Sequence, residues 1–114
     1  MNANFKDPHV VVVTVDTAGA VACAPDNIDV LGCDTVLKFV LRTEGYVFPE
    51  HDAIVVTEPG HQFPFPSRTL PKQPTKATLY DHNSAPGTFK YTVYVKHVAT
   101  GKVLELDPSI NNGD

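Results

Sequence analysis

Between Gly87 and His97 the chain reads Gly-Thr-Phe-Lys-Tyr-Thr-Val-Tyr-Val-Lys-His, directly after Pro86. Phe89, Tyr91, Val93 and Val95 recur at every second position, and a period of two puts alternate side chains on one face of a strand. A helix would scatter the same four around its circumference, so the pattern commits this segment to β structure. The resulting face is large and apolar, and a second layer must cover it. Phe89, Tyr91 and Val95 are therefore expected in the core of a layered β fold.

The rest of the chain repeats the theme in shorter pieces. His9 to Val15 is rich in valine, bounded by Pro8 and Gly19, and reads as a strand buried on both faces or lying at the core of a sheet. Ala20 to Ala24 predicts a short second strand, and Pro25-Asp26-Asn27 a turn. From Thr35 to Arg42, Leu37, Phe39 and Leu41 face one way, while Val36, Lys38, Val40 and Arg42 face the other. That is a strand with one wet side. Tyr46-Val47-Phe48-Pro49 predicts an irregular edge segment, and Ala53 to Thr57 a buried strand.

Next comes Pro59 to Pro74, with five prolines in sixteen residues around Phe63-Pro64-Phe65-Pro66. Proline cannot donate to a β ladder, so this stretch predicts an extended loop crossing an edge or one end of the fold. Lys76 to Tyr80 resumes the strand pattern, Asp81 to Pro86 is a loop, and Ala99-Thr100-Gly101-Lys102 turns the long strand into Val103 to Leu106. Residues 1–7 and 110–114 are expected to be flexible ends of a single domain spanning 1–114.

Ten prolines and seven glycines placed between apolar runs agree with this all-β reading of about seven strands. The net charge of −4 excludes a general nucleic-acid binder, which needs a basic face to displace counterions. Residues 1–60 carry nine acids and three bases, whereas residues 61–114 carry four acids and six bases. The apolar run Val10 to Val13 is far too short to cross a bilayer as a helix, and no other run is long enough either. The start of the chain lacks the basic segment and apolar stretch of a secretory leader, so the expected location is cytoplasmic. Cys23 and Cys33 then read as free thiols, since they form neither Cys-x-x-Cys nor half of a four-cysteine zinc set.

Gly87-x-Phe89-x-Tyr91 resembles the ligand-bearing strand of small blue-copper proteins, which implies a cupredoxin-like sandwich. Val93 stands where that family carries its cysteine, and Met1 is the only methionine, so the copper ligands are missing. Asp81, Gly87 and Tyr91 also resemble the approach to the tyrosine corner of immunoglobulin-like sandwiches. Across most of the chain, Glu58-Pro59 and Asp107-Pro108 together with the aromatic-proline loop resemble the DP-EP family of uncharacterised bacterial proteins. That resemblance implies no activity.

Little here predicts catalysis. Ser67, Ser84 and Ser109 lie in turns with no nucleophile-elbow context, and no glycine-rich loop leads into a helix. The expectation is a protein that is not an enzyme and needs no cofactor. The five histidines show no i, i+2 or i+4 pairing that would prearrange two imidazoles. A metal-binding alternative rests on loop residues His51, His61 and His82 with neighbouring carboxylates, although solvated loop histidines are the commoner outcome. The favoured function is a binding or assembly module. Tyr46, Phe48, Phe63, Phe65 and Arg68 would line a site for a protein, a peptide or a second copy of the chain, with no nucleic acid or membrane as partner. Against this stands a simpler expectation, that Phe63, Phe65 or both fold back to cap an open end of the core.

Overall fold

A computed structural model describes residues 9–113 as an all-β sandwich of two packed sheets, with no helix among the described residues. The strands are β1 (His9–Val15), β2 (Val21–Ala24), β3 (Asn27–Leu31), β4 (Thr35–Leu41), β5 (Tyr46–Val47) and β6 (Ile54–Val56). They continue with β7 (Arg68–Leu70), β8 (Gln73–Asp81), β9 (Gly87–His97), β10 (Val103–Leu106) and β11 (Ser109–Gly113). The expected flexible segment 1–7 lies outside the described residues. The count is eleven rather than seven because several strands are short pieces supplied by segments with little apolar alternation.

The first sheet runs β2-β1-β4-β8-β7. Its β1–β4 pairing is parallel, and its other pairings are antiparallel. In the second sheet the long β9 is central: β10 and β11 pair along one side, β5 and β6 along the other, and β3 joins β11 in parallel. A strand of eleven residues can serve four partners because each needs only part of its length.

The facing surfaces follow the alternation read from the sequence. Leu37, Phe39 and Leu41 of β4 are buried while Val36 is 40% exposed. In β9, Tyr91, Val93 and Val95 are fully buried and Phe89 packs half-buried against the core. The Phe39 and Tyr91 rings meet edge to face across the two sheets at 5.8 Å. β1 lies inside its sheet, but only Val11, Val13 and Val15 turn inward, and Val10 stays exposed. Burial on both faces is thus overturned. A sandwich has two layers, so the outer side of an internal strand still faces solvent.

Three further expectations need correction. Asn27, expected in a turn, and residues 28–31, for which no element is predicted, form β3 with Ile28 and Val30 buried. The stretch 68–74 of the proline-rich loop forms the edge strand β7 and the start of β8, with a bulge at Thr69/Leu70 beside Pro71. An edge strand is where proline's missing donor is tolerated. The expected flexible end 110–114 is instead strand β11 up to Gly113, inserted between β3 and β9, with Ile110 and Asn112 buried. Its polar letters disguise it: only Ile110 is apolar, while Asn111 and Asn112 pair laterally with other polar groups.

Candidate functional site

The aromatic-proline loop is held on the sandwich by its own backbone and by polar side chains. Gln62 accepts from the His82 amide at 2.7 Å through its backbone carbonyl, and its side-chain amide donates to Ser84 Oγ at 2.9 Å. At the other end Ser67 Oγ accepts from the Ile54 amide at 3.1 Å, and the Thr69 hydroxyl donates to the Pro49 carbonyl at 2.6 Å. Between these anchors the chain is stiffened by Pro64 and Pro66, whose rings lock φ.

The two phenylalanines take opposite roles. Phe63 is 5% exposed and stands edge-on to Phe89 at 5.1 Å, closing an end of the core. Phe65 is 62% exposed and leans over Tyr80 with ring centroids 5.8 Å apart. Between the loop and β6 runs an open groove of about 220 Å³, lined chiefly by Val55, Val56, Pro59, Phe63, Phe65 and Pro66. β6 is bonded to β9 on one side, so its other side borders the groove.

The remaining aromatic candidates lie elsewhere. Phe48 is 2% exposed and belongs to the core, with its amide donating to the Pro74 carbonyl at 2.7 Å. Tyr46 sits half-buried on β5 against His97, ring centroids 4.9 Å apart. Arg68 is exposed at the start of β7, where it bridges to His51. Of the five residues proposed for one surface, Phe63 and Phe65 line the groove, and Arg68 follows the groove residue Ser67 in sequence. Tyr46 and Phe48 were grouped with them because aromatic letters do not reveal which sheet face they occupy.

His51, His61 and His82 fall at separate places: an isolated bridge, an exposed turn and the end of β8. Among the described residues, no group of three or more His, Cys, Asp or Glu is arranged to hold a metal ion. His97 is tied locally, its Nδ1 2.8 Å from the Thr100 hydroxyl, and packs on Tyr46. Cys23 is buried and Cys33 exposed, both as free thiols. Burial, helped by the Asp26 carboxylate, pushes the Cys23 thiol up to about 11.

Two polar clusters escaped the sequence reading. One is surface-exposed at the end of β8. Asp34 Oδ1 accepts hydrogen bonds from the Tyr80 hydroxyl and from His82 Nδ1, the latter at 2.8 Å. The Tyr80 hydroxyl bond, followed by that from His82, holds the Asp34 carboxyl below the usual aspartate range. The same carboxylate raises the Tyr80 phenol to about 12.

The other cluster is buried at the same end of the sandwich. Asp81 Oδ1 accepts from the Asn83 amide at 3.0 Å and from Asn112 Nδ2 at 2.9 Å. Asn83 Nδ2 donates to the carbonyls of Gly32 and Gly113, both at 2.8 Å. Burial raises the Asp81 carboxyl above its ordinary value against the pull of these two bonds. The i, i+2 spacing of Tyr80 and His82, at and just past the end of β8, is the signal the sequence offers for that pair; no local signal joins them to Asp34.

A comparison with protein-family models and with curated proteins finds no match for this chain.

Proposed function

We propose that the chain is a non-catalytic binding module that docks an extended, apolar segment of a protein partner in the groove between β6 and the aromatic-proline loop. One observation carries this reading: Phe65 stands in solvent on a loop pinned at both ends, flanked by two prolines and beside an apolar groove. An exposed aromatic on a stiff backbone loses little entropy on binding, and this favours its use as an anchor. A groove of this volume is smaller than a small-molecule pocket, which starts at about 300 Å³, and suits one or two side chains of a peptide.

An extended occupant would lie along the groove side of β6, the geometry of strand addition. The stretch from Pro59 to Tyr80 has no acid and includes Arg68, so an acidic residue flanking the apolar anchor in the partner would find a complementary charge. Within the sandwich class, we read the fold as cupredoxin-like rather than immunoglobulin-like. The parallel β1–β4 and β3–β11 pairings support this, since the latter type is built from antiparallel sheets.

The test is selection from a displayed library of random peptides against the wild-type chain and against Phe65→Glu and Val55→Lys. Enrichment of apolar, extended sequences by the wild type and its loss in both variants, with unchanged thermal unfolding, is the expected result. Equal enrichment by all three would sink the proposal. So would sedimentation as a dimer that dissociates on Phe65→Glu, because the groove would then serve self-association.

A further inference from the structure

We propose that Asp34, Tyr80 and His82 form a binding site for a divalent transition-metal ion, with a carboxylate oxygen, a phenolate oxygen and an imidazole nitrogen as its three protein ligands.

The placement follows from strand register. Tyr80 and His82 are two residues apart at the end of β8, so they project from the same side. Leu79 and Asp81 turn into the core, so that side is the outer face of the first sheet. β4 pairs with β8 with Val36 opposite Tyr80 and Thr35 opposite Asp81. The Asp34 amide then donates to the His82 carbonyl at 3.1 Å, which carries the ladder one residue further and sets Asp34 beside His82.

Three atoms capable of ligating a metal consequently meet at one point. His82 Nδ1 lies 2.8 Å from Asp34 Oδ1 and 3.3 Å from the Tyr80 oxygen, and the Tyr80 hydroxyl is bonded directly to Asp34 Oδ1. Two ligands held about 2.1 Å from one ion stand about 3.0–3.4 Å apart. His82 Nδ1 already lies near that separation from both oxygens, and the Tyr80 oxygen and Asp34 Oδ1, now in direct hydrogen bond, would part by about an ångström to seat an ion among the three, a movement open to exposed side chains. The third donor of the cluster is a phenol rather than a carboxylate, thiol or imidazole.

Stability gives a poor account of the same arrangement. The side chains of His82 and Asp34 are 45% and 57% exposed, and hydrogen bonds and ion pairs in open water contribute little. One imidazole with two oxygens suits the ions from cobalt to zinc, and the affinity order places copper highest among them. Three protein ligands leave coordination positions facing solvent, as in sites that also take water or an exogenous ligand. On binding, the Tyr80 O–H bond breaks and its proton passes to solvent, His82 gives up its Nδ1 proton and keeps one on Nε2, and the freed oxygen and nitrogen bond to the metal.

The site lies beside the groove, since Phe65 leans on the Tyr80 ring, but it does not depend on the groove being a docking surface. The exposed Cys33 thiol, next to Asp34 in sequence, would compete for metal and reduce copper, so the test uses Cys33→Ser throughout.

In that background the tag-free chain is titrated with Zn²⁺ alone by calorimetry and with Cu²⁺ alone by visible absorption. The expected result is one ion per chain, a phenolate-to-copper charge-transfer band, and a binding heat that varies linearly with buffer ionisation enthalpy, the mark of proton release. Asp34→Asn and His82→Gln should each weaken Zn²⁺ by about tenfold or more, and Tyr80→Phe should abolish the band. Changing His51 and His61 to alanine should alter neither titration. No stoichiometric binding overturns the proposal. Binding that survives all three ligand variants, or that is lost only with His51 and His61, overturns it as well. None of the substituted residues is buried, and unchanged thermal unfolding of each variant will separate lost ligands from lost fold.

Discussion

Phe63 and Phe65 occupy the same repeated dipeptide, yet one lies in the core and the other in water. Truncating a buried phenylalanine removes both its transfer energy and its packing, so Phe63→Ala is expected to lower stability by about 3–5 kcal/mol in denaturant unfolding. Phe65→Ala should change it by less than about 0.5 kcal/mol, as for other surface substitutions. Comparable losses for both would mean that Phe65 also closes the core. At Asp81 the argument turns on pH. Its carboxyl is raised in the folded state, so the fold favours the protonated form. Stability is therefore greatest below the ordinary aspartate value and falls as pH rises towards the raised one. Asp81 Oδ2 and the side-chain oxygens of Asn83 and Asn112 make no hydrogen bond among the described residues. Asp81→Asn keeps an acceptor for the two existing bonds, adds a donor for one of those oxygens, and removes the buried charge. It should raise stability at pH 7 by about 1 kcal/mol and flatten the slope above pH 4, as read by thermal unfolding across pH. Thiol chemistry gives a third expectation. Cys33 should react with a disulfide reagent at once and Cys23 only on unfolding, because Cys23 is buried with its thiol raised to about 11.

At the scale of the element, β9 and β11 show what a sequence does and does not reveal. β9 was legible because its inward positions are all large and apolar, and the sandwich fills them as the alternation demands. β11 was illegible because Ser-Ile-Asn-Asn-Gly has the composition of a frayed tail. Its lateral bonds come from residues far away in sequence: Ser109 and Asn111 donate to Asn27 and Asp29, and Asn83 holds the ends of β3 and β11 through Gly32 and Gly113. Polar strands of this kind are specified by partners rather than by their own pattern. Removing residues 109–114 should expose the edges of β3 and β9 and abolish cooperative unfolding, while Ile110→Ala should cost about 2–5 kcal/mol. A truncated chain that unfolds as sharply as the intact one would show that β11 is dispensable. The candidate groove was half legible for a related reason. Proline content located the loop and its extended course, but burial of Phe63 and Phe48 depends on the sheets against which they pack.

Over the whole molecule, neither half of the chain completes a sheet alone. The first sheet joins β1, β2 and β4 to β7 and β8, and the second joins β3 and β6 to β9, β10 and β11. The acidic first part and the basic second part of the sequence are thereby interleaved. Pairings that span most of the chain, such as Asn27 with Ser109, close long loops before they stabilise anything. Refolding in the millisecond-to-second range is expected, and residues 1–60 alone should show no cooperative unfolding by circular dichroism. A fragment that melts cooperatively would contradict this. What the sequence determined by itself was the class of fold, because alternating burial is a local property of each strand and glycine and proline punctuate it locally. The tertiary structure alone decided which short polar segments complete the sheets, which of two neighbouring phenylalanines stays in water, and that Asp34, Tyr80 and His82 meet. Those outcomes depend on contacts between residues tens of positions apart, and no local pattern encodes a partner at that distance.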